Sequence, residues 1–122
     1  MIDHIGLKVK DFKKSVAFFS KALAPLGYKV LAEYEDAAGL GAGASPDLWV
    51  SKGEPPKPGV HICFASKSRA IVDQFHAAAL KAGGKDNGAP GLRKDYHAHY
   101  YGAFALDPDG NNIEAVCHDP KG

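Results

Sequence analysis

Hydrophobic positions recur in two different periods, and the alternation between them predicts the elements. Residues 2–9 and 59–65 are short apolar runs in which side chains alternate between two faces, the signature of strands. Each is followed by a stretch with helical spacing. In the first, Asp11 is a candidate N-cap, and Phe12, Val16, Phe19 and Leu23 share one face. Pro25 and Gly27 should end it. In the second, Ser68 is the candidate N-cap, Ile71, Val72, Phe75, Ala79 and Ala82 form the apolar face, and Gly83-Gly84 closes it. Three shorter extended segments follow each helix, near 28–35, 38–43 and 47–52, then near 85–91, 99–107 and 111–117. Asp107-Pro108-Asp109-Gly110 is a strong turn signal and predicts a hairpin between the last two.

The order strand, helix, three strands therefore occurs twice. The two halves also align: His4-Ile5 with His61-Ile62, Phe18 with Phe75, Ala22-Leu23 with Ala79-Leu80, and Gly27 with Gly84, all in one register. The pattern predicts an α+β chain of two βαβββ modules within one domain, about 1–54 and 57–122, joined by the Pro-rich segment 53–59. Two such sheets can enclose a cleft between them.

Composition narrows the function classes. The 122 residues carry 15 basic and 14 acidic side chains, a formal net charge of +1. That balance gives no electrostatic reason to expect nucleic acid or a membrane surface as partner. No apolar run approaches the roughly 20 residues that span a bilayer, and Met1-Ile2-Asp3-His4 lacks a signal-peptide pattern. The expectation is a cytoplasmic protein with a small-molecule substrate. Cys63 and Cys117 form no CxxC pair and are expected to be reduced, buried thiols.

Strand alternation also selects candidate chemistry. On the fifth strand Ile62 and Phe64 should meet the helix, which leaves His61 facing the cleft with Cys63. On the first strand Ile5, Leu7 and Val9 take the apolar face, so His4 points the other way. On the last strand Glu114 shares a face with Asn112 and Val116. Two imidazoles and a carboxylate suit one divalent ion such as zinc, manganese, iron or nickel, and three protein ligands leave positions open for substrate. Taken singly, each of these residues has a plain structural explanation; the combination is what favours ligation.

Segment 92–101 combines cations, imidazoles and phenols. Arg93 could anchor a substrate carboxylate or phosphate. His97, His99 or Tyr101 could donate protons or hydrogen bonds, and by alternation from Phe104 and Leu106, expected under the helix, Tyr101 and His99 should face the cleft. A solvated loop with packed tyrosines is the competing explanation. Trp49 is either core or an aromatic wall beside the metal.

These residues resemble the vicinal oxygen chelate superfamily, also called the glyoxalase, bleomycin-resistance and extradiol dioxygenase superfamily. The matching pieces are residues 4–9 with Asp11 and its helix, residues 59–64, and Asp107-Pro108-Asp109-Gly110-Asn111-Asn112-Ile113-Glu114, so the resemblance covers essentially the whole chain. It implies paired modules forming a metal-binding cup, with ligands from the first and last strands of each module. His4, His61 and Glu114 match three such positions, and Trp49 falls at the fourth, where glyoxalase I has a ligand. Two His and one Glu are similar to the sets of fosfomycin-resistance thiol transferases and extradiol dioxygenases, although Gly6 stands where the former carry a hydroxylated residue. The resemblance implies a homodimer, with the site within one chain or shared between two through swapped modules. Two functions remain: a metalloenzyme on a small oxygen-rich chelating substrate, whether lyase, isomerase, thiol transferase or dioxygenase, with Glu114, Tyr101 and His99 as catalytic groups, and a bleomycin-resistance-like binding protein without catalysis.

Overall fold

The computed structural model describes residues 1–122. The elements are β1 (Ile5–Val9), α1 (Phe12–Ala22), a short 3-10 turn (Ala24–Leu26), β2 (Lys29–Glu33), β3 (Ala37–Gly41), β4 (Leu48–Lys52), β5 (His61–Ala65), α2 (Arg69–Lys81), β6 (Lys85–Leu92), β7 (Tyr101–Leu106) and β8 (Asn112–Cys117). Both N-caps are as expected. Asp11 accepts from the Lys14 N–H and Ser68 from the Ile71 N–H, each satisfying a donor that the first helical turn leaves free. The 3-10 turn was not expected. Pro25 cannot continue the α-helix but fits a tight turn, and Gly27 closes it at φ +88°.

The strands form two four-stranded mixed sheets of identical topology, β1-β4-β3-β2 and β5-β8-β7-β6. In each, the first strand runs parallel to the last and the other pairs are antiparallel. The fold is α+β, two βαβββ modules, as the sequence repeat indicates. β1 and β5 are edge strands, each hydrogen-bonded on one side only.

Each helix covers one face of its own sheet. Val16, Phe18, Phe19 and Ala22 of α1 are buried, as are Val72, Phe75 and Ala79 of α2. The two helices also pack on each other, so one cluster of 20 buried apolar residues runs through both modules. Burying that much apolar side chain is the main stabilising term for a chain this size. Tyr28 extends the seam, its ring edge-on to Phe64 at 5.4 Å and its hydroxyl donating to Asp47 at 2.9 Å. No helix is long and apolar enough to cross a membrane.

With helices on one face, the other face of each sheet stays open. The turn at 107–110 sets the edge of that face in the second module. Asp107 accepts from the backbone N–H groups of Asp109 and Asn111 and from the Asn111 amide. Asn111 in turn accepts from the Val60 N–H at 2.9 Å, which ties the inter-module linker to the start of β8. Burial pushes the Asp107 carboxyl up, against the pull of these hydrogen bonds.

Candidate functional site

The open face of the second sheet is built by register. Cys63 on β5 pairs with Glu114 on β8, and Glu114 pairs with Phe104 on β7. Directly paired residues share a face, and His61 is two residues from Cys63. His61, Cys63, Glu114 and Phe104 therefore stand together, while Phe64, Ala103, Ala105, Ile113 and Ala115 point into the core.

Glu114 is the centre of the group. It is 1% exposed, yet it meets no lysine or arginine. Its Oε1 lies 2.7 Å from His61 Nε2, and its Oε2 accepts from the Tyr100 hydroxyl. A buried carboxylate costs several kcal/mol unless it is matched by donors or a cation. Burial, followed by the bond to Glu114, pushes the Tyr100 phenol above its usual range. The Cys63 thiol is pushed up to about 12, first by burial and then by the Glu114 charge. The sequence expectation of two buried thiols holds for Cys117 only, since Cys63 lies on the open face beside Glu114.

Other residues fall differently from expectation. Tyr101 does not face the cup. Its hydroxyl donates to Asp73 on α2 at 2.6 Å, the Arg69 guanidinium lies 5.3 Å from its ring centre, and the ring packs on the core. The error is one of phase. Size places Phe104 under the helix, but the small Ala103 and Ala105 fill that space, and the Phe104 ring centre lies 6.2 Å from that of His61. The even positions of β7 thus face the cup, and Tyr100 takes the place expected for Tyr101. Gly102 makes this possible, since a Cβ there would sit 3.1 Å from the Tyr100 ring and 3.2 Å from Glu114 Oε2.

His99 is exposed in the turn before β7, outside the strand's alternation, and only its backbone N–H is engaged, by His97. His97 instead stacks on His118, Nε2 to Nδ1 at 2.7 Å, and both rings lie edge-on to Tyr100. Arg93 is half-buried and lies over Phe104.

His4 lies just before β1, exposed, with Nδ1 2.6 Å from Asp3. It does not join His61 and Glu114, and no three His, Cys, Asp or Glu side chains of one chain gather in metal-binding range. Within one chain the structure brings His61 and Glu114 together and leaves His4 apart. Alternation within a strand cannot report how far apart two separate sheet edges stand. Between β1 and β5 is a cleft of about 1220 Å³, with Asp3, Ile5, Gly6 and Lys8 on one side and His61 and Cys63 on the other. Trp49 pairs with Gly6 as Glu114 pairs with Cys63, which matches the module alignment. It is half-buried on the open face of the first sheet, stacked on Tyr34 with ring centres 6.4 Å apart.

The donor chemistry of the second sheet fits a borderline divalent ion. One imidazole nitrogen and one carboxylate oxygen are hydrogen-bonded at 2.7 Å on one face, so a small outward shift of either would let both reach an ion with bonds of about 2.0–2.2 Å. No lysine or arginine nitrogen lies within 4.0 Å of the buried carboxylate.

Comparison with known proteins agrees with this architecture. The profile of the Glyoxalase/Bleomycin resistance protein/Dioxygenase superfamily matches residues 1–115. A solved glyoxalase/bleomycin resistance protein from Albidiferax ferrireducens T118 is 26% identical, with TM-score 0.81, covering 96% of this chain and 98% of that one. A glyoxalase-related enzyme from Fulvimarina pelagi shares the fold at 14% identity and TM-score 0.73, covering 96% and 87%. The E144Q glyoxalase I mutant from Zea mays shares it at 22% identity and TM-score 0.71, covering 94% of this chain and 46% of that larger one. No curated protein matches the chain. The chain belongs to the glyoxalase/bleomycin resistance protein/dioxygenase superfamily.

Proposed function

We propose that the protein is a metal-dependent enzyme acting on a small, oxygen-rich molecule that chelates through adjacent oxygens. The observation that carries this reading is Glu114: a nearly inaccessible carboxylate that meets no lysine or arginine and is held among His61, Tyr100 and Cys63. His61 and Glu114 would hold the ion. His4 would supply the third ligand from a second copy of the chain, since it stands apart from them within its own. Two edge strands, each with one free edge, flank a large cleft and favour such an assembly, because exposed edges are seldom left uncovered. A divalent ion bound there would stabilise charge developing on a chelated oxygen.

The chain's own groups have distinct parts in this reading. Tyr100 orients Glu114 by donating its single O–H to it, and the phenol oxygen keeps acceptor capacity on the cup side. Phe104 and Val116 keep the face apolar, which strengthens every polar contact in the cup. Trp49, on the first sheet's open face, would form the opposite wall when a second copy closes the cup. Tyr101 has no part, since it is turned to α2.

A binding protein without catalysis is the second reading. It is favoured by the same geometry from the other side, because one chain alone offers only two ligands and a roomy cleft. Elemental analysis of protein purified without chelator separates the two. The enzyme reading expects a near-stoichiometric transition metal in the wild type and none in Glu114→Ala with the fold retained. Metal-free wild type, or full metal in the variant, refutes the assignment.

A further inference from the structure

Arg93 stands apart from the rest of the chain's charges. Every close ion pair involves a histidine, so no carboxylate lies within 4.0 Å of this half-buried guanidinium. It is nevertheless fixed. Nη1 donates to the Gly91 carbonyl at 2.9 Å and Nη2 to the Ala89 carbonyl at 2.7 Å, and its carbon lies 5.4 Å from the centre of the Phe104 ring. Two glycines make the seat. A Cβ at Gly88 would come within 2.8 Å of Phe104 and 3.2 Å of Nη2, and one at Gly91 within 3.2 Å of Nη1. Gly88 also takes φ +153°, and β6 shifts register on both sides of it, so the strand bends and the side chain folds back over Phe104.

That seat is next to the metal-ligand candidates. Phe104 contacts the His61 ring on its cup side and pairs with Glu114 across the strands. A guanidinium has five N–H donors, and two are spent on carbonyls. The rest, on a side chain already ordered by its backbone contacts and aromatic face, can bind a planar anion with little further loss of freedom.

We propose that Arg93 forms an anion subsite of the cup, and that the substrate carries a carboxylate remote from its chelating oxygens. The chelating half of this statement rests on the metal reading above; the anion subsite does not. A 2-oxo dicarboxylate has this layout, with the 2-oxo acid end for the metal and the distal carboxylate for the Arg93 fork.

Calorimetric titrations on the intact protein test the two halves separately. Glutarate, which lacks the chelating end, is titrated into metal-free protein. It should bind the wild type and bind Arg93→Gln at least about tenfold more weakly, the loss expected when a charge-assisted pair is removed. Gly91→Val keeps the charge but crowds the seat, and should weaken glutarate in the same direction. With Mn²⁺ present, 2-oxoglutarate should bind the wild type more tightly than 2-oxopentanoate, and Arg93→Gln should erase that preference while leaving 2-oxopentanoate and Mn²⁺ affinity unchanged. Failure of glutarate to bind the wild type, or equal binding to wild type and Arg93→Gln, overturns the subsite. If Mn²⁺ fails to bind while glutarate still requires Arg93, the metal reading falls and the anion subsite stands.

Discussion

His61 Nε2 lies 2.7 Å from Glu114 Oε1, across two strands whose register pairs Glu114 with Cys63 rather than with His61. The contact is therefore diagonal, and the long glutamate side chain makes it. Its second oxygen is then free for Tyr100, which lies on the same face but on the β7 side of β8. The carboxylate is held at both oxygens and has little freedom to turn.

Tyr100→Phe removes one of those two restraints and leaves a buried carboxylate oxygen without a donor. Hydrogen bonds to charged groups contribute about 1.5–3 kcal/mol, so urea unfolding of the metal-free protein at neutral pH should show a loss of that size. The sign of the pH dependence follows from the raised phenol: the folded state holds this proton more tightly than the unfolded chain. The contribution is complete below the ordinary phenol range of about 10 and is lost as pH rises through the higher folded value. An unfolding free energy unchanged by the substitution would mean that the phenol does not support Glu114.

Trp49→Glu places a carboxylate at the register position that corresponds to Glu114 in the other module. If the modules close one cup between two chains, the new side chain supplies a fourth ligand. Metal affinity should then rise by about tenfold or more, measured by competition with a chromogenic chelator. Unaltered affinity would show that Trp49 does not lie opposite the His61–Glu114 pair.

The repeat made the architecture readable from sequence. Asp11 and Ser68 mark helix starts, and Asp107 to Gly110 marks the last hairpin, because each depends on local hydrogen bonding that a few residues determine. The face of β5 was readable too, since His61 and Cys63 alternate with Ile62 and Phe64. β7 was not, because its core side is filled by alanines and its cup side by Phe104, the reverse of the usual inference from size. His97 and His118 meet across 21 residues of sequence, a pairing set by tertiary packing that no local pattern carries. The position of His4 relative to Glu114 depends on how whole modules pack, and strand alternation is silent on that.

Asp86 gives a prediction at acid pH. The Gly88 N–H, and after it the hydrogen bond to His76, holds its carboxyl below the model-peptide value of 3.8. A depressed carboxyl contributes stability that is present above the unfolded value and lost as pH falls through the lower folded one. Carbon-13 NMR titration should therefore find Asp86 with a midpoint under 3.8. His76→Ala should move it toward, but not fully to, that value, because the Gly88 bond remains. A midpoint at or above 3.8 in the wild type would contradict the geometry of this bend in β6.

The central claim is an ion held by His61 and Glu114 of one chain and His4 of another, and mixed dimers test it most directly. His4→Ala and Glu114→Ala chains, each purified alone, should retain almost no transition metal. Refolded together, they should form hybrids in which one of two sites is intact, with about one ion per hybrid dimer. Recovery of metal in the mixture supports the shared site. Full metal in either variant alone, or none in the mixture while the wild type is loaded, would contradict it.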